Sequence, residues 1–288
     1  MTKAEGLVRI TIAYVVALFA GGAALYALDG GPLADAFYAD VIATIVIFLF
    51  SRAYANSSFY DAYWTVIPPF IALFWLAVGT AEVPPLRNLL LMGVILFWAT
   101  RLTLNWAYHW EGMQHEDWRY QMLREKAPKF ALFTDFFGVH LFPTLQVFAG
   151  LLPVYAVYCL GDRPLGWLDG LAFAVGFCAV TLQMQADFQL RAFIRDRQEG
   201  QHLDTGLWGW SRHPNYLGEI GFWLSLFLFG LAAYPQGWYW YGVGIVAMTA
   251  MFVFASIPMM EKRSLERRPD YQQVIDRVSM LLPRPPRR

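Results

Sequence analysis

The sequence predicts an all-α protein, a polytopic bundle of about eight transmembrane helices with a polar pocket at one membrane surface. Three observations carry this reading. The first is composition: 57% of the 288 residues are hydrophobic and 15% are charged, whereas soluble domains carry about a quarter charged residues. The second is a succession of eight apolar runs, each close to the roughly 20 residues that cross a bilayer as a helix. The third is an uneven distribution of Lys and Arg between the segments that join those runs, although formal net charge is zero.

The runs are read at about Leu7–Leu28, Ala36–Ser51, Tyr63–Gly79, Leu86–Tyr108, Val139–Leu160, Trp167–Leu190, Tyr216–Tyr234 and Trp238–Pro258. Leu7–Leu28 exceeds the roughly 7–15 apolar residues of a signal peptide and lacks a clear small-x-small exit site, so it is expected to be retained. Ala36–Ser51 is short and Tyr216–Tyr234 begins with polar residues, so each admits a re-entrant element, which leaves seven spans as the alternative. Cys159 and Cys178 have neither metal-ligand nor disulfide-framework spacing and are read as small buried hydrophobes. No metal site is expected.

Once eight spans are drawn, Lys3, Arg9, Arg52, the basic residues from Arg101 to Lys129, those from Arg191 to Arg212 and those from Lys262 to Arg288 fall on one side. The other side keeps Arg87 and Arg163 beside Asp29, Asp35, Glu82 and Asp162. Basic loops stay cytoplasmic, so both termini are expected in the cytoplasm. No linker suggests a second soluble domain, and residues 1–288 are read as one membrane domain. The tail is expected to form a short amphipathic helix ending before Pro283, with Val274, Val278 and Leu281 towards the bilayer.

Polar residues interrupt the apolar pattern at the cytoplasmic ends of several spans. In SRHPNYLGE, Pro214 suits a helix's first turn, and backbone N–H groups beside Arg212 and His213 suit an anion. Asn215 and Glu219 are four residues apart, and Tyr216, Glu219 and Trp223 follow three and four apart, so each set shares a helical face. Gln183, Asp187 and Arg191 repeat the four-residue spacing in the sixth span, with Arg195 continuing it, and Arg101, Asn105 and His109 do so in the fourth. Each stripe alone could hold helices together. Three stripes at one membrane edge point to a shared cationic pocket suited to phosphates. Asp61, with Tyr60, Tyr63 and Trp64 around it, is either a helix cap or a functional acid at the entrance to the third span. His115–Tyr120, HEDWRY, is read as a loop brace of paired charges.

The motifs AYWTVIPP preceded by Asp61, RLTLNW, HEDWRY, QADFQ, GLWGWSRHPNYLGE and IPMMEKRSLERRPDY together resemble the C-terminal domain of steroid 5α-reductases and similar bacterial membrane proteins. The resemblance covers most of the chain, with the signature region at about residues 86–283. It implies an NADPH-dependent reductase that delivers hydride to the β-carbon of a carbonyl-conjugated C=C bond in a lipid-like substrate. Gln183, Asp187 and Arg191 match a cofactor-contacting helix, with Gln in place of Asn. Asn215 and Glu219 match residues beside nicotinamide and ribose, and Arg101 matches the phosphate side. With Arg195, Arg212, His213, Asn105 and Tyr216 they form the expected cofactor site, and Asp61 and Tyr63 the expected catalytic pair. The resemblance also places a carbonyl-donating Tyr three residues before Arg101, where this chain has Trp98. Sterol Δ14-reductases share these motifs. Isoprenylcysteine carboxyl methyltransferases resemble the chain in RHPNY, which leaves S-adenosylmethionine-dependent methyl transfer as one alternative and a lipid-binding scaffold as another. Expected partners are the lipid substrate and membrane lipids, with no nucleic acid.

Overall fold

Proline marks the starts of several spans, because its missing N–H and fixed φ suit a helix's first turn. The computed structural model describes residues 2–198 and 200–286, and its helices are α1 (Lys3–Ala27), α2 (Pro32–Ala53), α3 (Tyr63–Val78), α4 (Pro85–His109), α5 (Trp118–Lys126), α6 (Phe142–Tyr155), α7 (Trp167–Asp196), α8 (Pro214–Ala233), α9 (Val243–Met251) and α10 (Ile257–Arg267). Pro32, Pro85 and Pro214 each open one of them. α1 starts instead with a capping box, in which Thr2 Oγ1 accepts from the Glu5 amide at 3.2 Å and Glu5 accepts from the Thr2 amide at 2.8 Å.

Among the described residues, eight helical segments are long and apolar enough to cross a membrane. The short second run is a full helix of 22 residues, because Pro32 and the half-turns carrying Asp35 and Arg52 extend it beyond its purely apolar stretch. The seventh span is continuous from Pro214 for 20 residues. The fifth and eighth spans run 33 residues each. Both contain π-helical turns, at Thr134–Leu141, Ala156–Leu160 and Phe252–Ser256.

Glycines set how closely α7 and α8 approach, in the most extensive helix pairing of the bundle. A Cβ on Gly218 would lie 2.6 Å from the Ala179 carbonyl oxygen and 2.8 Å from Gln183 Cβ. Only glycine permits that approach, and it brings Gln183 against Glu219, the residue after Gly218.

The first and last described segments lie at the same end of the bundle. Lys3 Nζ donates to the carbonyl of Tyr108 at the foot of α4, at 2.7 Å, and the Arg212 amide donates to the Ser279 carbonyl at 2.9 Å. Two expectations are corrected here. The tail's helix is the short Gln272–Arg277 turn, and Val274 and Val278 are buried against protein instead of facing the bilayer. Arg212 is the reason: it receives the chain by donating to the Ile275 carbonyl at 3.0 Å and to that of Val278. Cys178 is exposed on the outer face of α7, and Cys159 is half-buried, so neither is a fully buried hydrophobe.

Candidate functional site

A cavity of about 550 Å³ opens at the end of the bundle where α4 and α7 end and α8 begins. Its polar wall comes from the C-terminal halves of α4 and α7 and the first turns of α8, which supply Arg101, Gln183, Asp187, Asn215, Tyr216 and Glu219. Its apolar wall comes from Phe142 and Val147 of α6 and from Met248, Met251, Phe252 and Met259 of the eighth span. The four-residue spacing that suggested shared faces accounts for the polar wall, since each stripe presents one face over a helical turn.

Glu219 is the most enclosed of these groups, at 4% exposure. Its Oε1 accepts from Trp223 Nε1 at 3.0 Å and its Oε2 from Trp98 Nε1 at 3.1 Å, while Gln183 Nε2 donates to Oε2. Trp98 lies flat on Phe222 with ring centroids 4.3 Å apart and meets Trp223 edge-on. This explains Trp at a position where the resemblance expects Tyr. The indole has no proton to exchange at neutral pH, but it is a rigid donor that orients an acid.

Arg101 pairs with Asp187 through Nη2, which also reaches the Gln183 carbonyl at 3.1 Å. Asn105 Nδ2 approaches the same Asp187 oxygen at 3.5 Å. Three buried polar atoms in this cluster are left without partners: Arg101 Nη1, Gln183 Oε1 and Asn105 Oδ1. Buried polar groups are nearly always paired, so this cluster offers one donor and two acceptors to a further polar partner.

A second cavity of about 370 Å³ shares Trp64, Leu102, Arg119 and Tyr120 with the first. Asp61 and Asn105 line this side cavity. Asp61 accepts from Tyr120 Oη at 2.8 Å and from Trp106 Nε1 at 3.3 Å. Burial, reinforced by the neighbouring Asp61 carboxylate, holds the Tyr120 phenol well above its ordinary range. HEDWRY braces the loop as expected: Arg119 holds Asp117 with two bonds, at 2.9 and 2.7 Å. Burial pushes the Asp117 pKa up, but these bonds outweigh it and hold it below the usual carboxylate range. Arg119 and Tyr120 also line the cavity wall, a role the loop reading missed.

Other expected site residues lie elsewhere. Arg212 Nε and His213 Nε2 both bond Glu261 Oε1, at 2.7 and 2.9 Å, and so tie α8 to α10 without lining the cavity. His213 reaches the site only by stacking on Tyr216, at 5.4 Å between ring centroids. Arg195 is exposed and paired with Asp196, and Arg191 sits over the Phe188 ring, outside the lining. Tyr63 turns away, donating to Asp40 Oδ1 at 3.3 Å, whereas Tyr60 is the tyrosine of that turn that lines the cavity. Tyr60 Oη is bonded to Thr144 Oγ1 at 2.8 Å.

These features define a class, an integral membrane protein with eight candidate spans among its described residues, enclosing a cavity with one polar and one apolar wall at one end of the bundle. Within it, the chain belongs to the family described as "Protein of unknown function (DUF1295)", whose family model matches residues 47–278. Every residue lining the main cavity, from Tyr60 to Met259, falls inside that match. An uncharacterized protein of Schizosaccharomyces pombe is 30% identical over 254 residues, which span 80% of this chain and 73% of the yeast protein. No solved structure matches the chain.

Proposed function

We propose that the chain is an NADPH-dependent membrane oxidoreductase that reduces a carbonyl-conjugated C=C bond in a lipid or steroid-like substrate. The observation that carries the reading is the pair of unpartnered atoms, Arg101 Nη1 and Gln183 Oε1, on the polar wall of a cavity whose remaining wall is apolar. A nicotinamide carboxamide offers one acceptor and an NH₂ donor. Arg101 Nη1 and Gln183 Oε1 supply the complementary donor and acceptor, both buried and unpartnered, so the residues present fit that end of the cofactor. When bound, the cofactor supplies hydride. Arg101, Asn105, Gln183, Asp187, Asn215, Tyr216 and Glu219 would hold its polar parts, and the methionine-rich wall would admit the lipid. Among the described lining residues, Arg119 is the cation left for phosphate. The bias of Lys and Arg towards this end supports a cytoplasmic site with both termini inside, in a bacterial inner membrane.

One observation favours a second reading, S-adenosylmethionine-dependent methyl transfer: Arg195 and Arg212, expected to meet phosphates, are paired with Asp196 and Glu261. Calorimetric titration of the purified protein separates the two. NADPH is expected to bind, with NADH at least about tenfold weaker, the worth of a charge-assisted contact to the 2′-phosphate. Binding of S-adenosylmethionine with no response to NADPH overturns the reductase.

The proton comes from the Asp61–Tyr120 pair in this reading. The phenol is held protonated, lines both cavities and is oriented by Asp61, so Tyr120 would donate its proton to the substrate carbonyl and regain one from water entering by the side cavity. Tyr120→Phe and Asp61→Asn are each expected to lower kcat by about a hundred- to ten-thousandfold, the usual span for a general acid, with NADPH affinity unchanged in the same titration. Parent-like turnover in Tyr120→Phe removes the phenol from the mechanism.

A further inference from the structure

Asp40 is an acid inside the membrane that the cavity does not use. It lies eight residues beyond Pro32, roughly 12 Å along α2 at 1.5 Å per residue, so it sits well below the membrane surface. It is 3% exposed. Oδ1 accepts from Tyr63 Oη at 3.3 Å, and Oδ2 has no partner. Asp40 lines a cleft of about 360 Å³ between α1, α2 and α3, which shares no lining residue with the main cavity. Phe70 and Leu73, on the same cleft, are 46% and 47% exposed, so it opens on the outer, lipid-facing surface.

We propose that this cleft is a second lipid site, in which a long-chain alcohol donates its hydroxyl to Asp40 Oδ2 while its chain lies along α1 and α3. Intramembrane acids cost several kcal/mol unless partnered and usually face a cavity with a function. The rest of the lining is aliphatic, aromatic or glycine, so the site offers one acceptor and no second polar group. A hydroxyl needs one acceptor. An ammonium carries three donors and would lose its hydration against a single carboxyl, and a fatty acid would set acid against acid. Phospholipid headgroups stay at the surface, above the depth of Asp40. The cleft's volume falls within the roughly 300–1,000 Å³ of small-molecule sites. Part of it, including Asp40, precedes the matched family region.

Photolabelling the purified protein in detergent with a diazirine-bearing hexadecanol, and with its methyl ether, tests the assignment. The alcohol is expected to label cleft residues of α1–α3 about three- to tenfold more than the ether, the worth of one hydrogen bond. Asp40→Leu should erase that difference. Gly22→Phe should remove cleft labelling by both probes while leaving NADPH binding intact, because a Cβ at Gly22 meets nothing within 4 Å and its side chain enters the cleft without disturbing packing. Equal labelling by alcohol and ether in the parent overturns the proposal. So does parent-like labelling in Gly22→Phe, or preference for a hexadecylamine probe.

Discussion

Replacing Glu219 with Ala is expected to destabilise the protein by about 3–5 kcal/mol, since each buried donor left unsatisfied costs about 1–3 kcal/mol and polar contacts in membranes fall at the lower end. Three donors converge on this carboxylate, Trp98 Nε1, Trp223 Nε1 and Gln183 Nε2, and Ala strands all of them at once. Glu219→Gln keeps the size and one acceptor but turns an NH₂ towards N–H groups, so about 1–2 kcal/mol is expected to be lost. Because Gln183 would no longer be held with Oε1 free, NADPH affinity should fall about tenfold in this milder variant. Thermal unfolding in detergent, followed by tryptophan fluorescence, ranks the three proteins. If Glu219→Ala unfolds with the parent, the carboxylate does not organise the polar wall. If a small polar residue there preserves both stability and NADPH binding, the stripe serves neither cofactor nor packing, and the scaffold reading gains.

What could be read from the sequence was whatever repeats along one helix. Apolar run length set the number of spans. Four-residue spacing placed Arg101 with Asn105 and Gln183 with Asp187 on faces that the structure brings together beside Glu219. What could not be read depends on partners far along the chain. Arg212 was assigned to phosphate because it flanks a helix start, but Glu261, 49 residues later, takes its guanidinium. Nothing near Arg212 announces that partner. Tyr60 lies in the turn before α3 and Tyr63, three residues on, opens that helix, and this difference decides that Tyr63 meets Asp40 and Tyr60 the cavity. The π-helical turns carry no sequence signature. They still matter, because Gly138, Val139 and Phe252 on two of them line the site, and such turns often occur at functional positions. Trp98 was legible as a departure from Tyr, and Trp223 as a neighbour of Glu219 one helical turn on. Their joint role as donors to one acid emerges only when α4 and α8 are packed.

At the opposite end of the bundle, Arg87→Ala is expected to destabilise the protein by about 3–5 kcal/mol, the cost of breaking a buried ion pair by removing one member. Arg87 and Asp169 are each 1% exposed, and their ion pair is bidentate, at 2.6 and 3.0 Å. The guanidinium also donates to the carbonyls of Arg163, Pro164 and Ala232, at 2.8, 2.9 and 3.2 Å. It therefore joins α4, the loop before α7 and the end of α8. The two halves of the pair are unequal. Without Arg87, Asp169 keeps only the Gly166 amide, at 2.8 Å, and three carbonyls lose their donor. Without Asp169, Arg87 keeps those three carbonyls. Asp169→Ala should thus cost less than Arg87→Ala, by about 1–2 kcal/mol, the net worth of the hydrogen bonds that survive. A double variant, Arg87→Met with Asp169→Leu, should lie between the single variants and the parent, because it removes the stranded charge but leaves the loop carbonyls unpaired. Chemical denaturation in detergent measures all four proteins, and below their transitions NADPH affinity should match the parent, since neither residue lines the cavity. If Asp169→Ala proves the more damaging change, the carbonyl contacts contribute nothing and Arg87 is held by its acid alone.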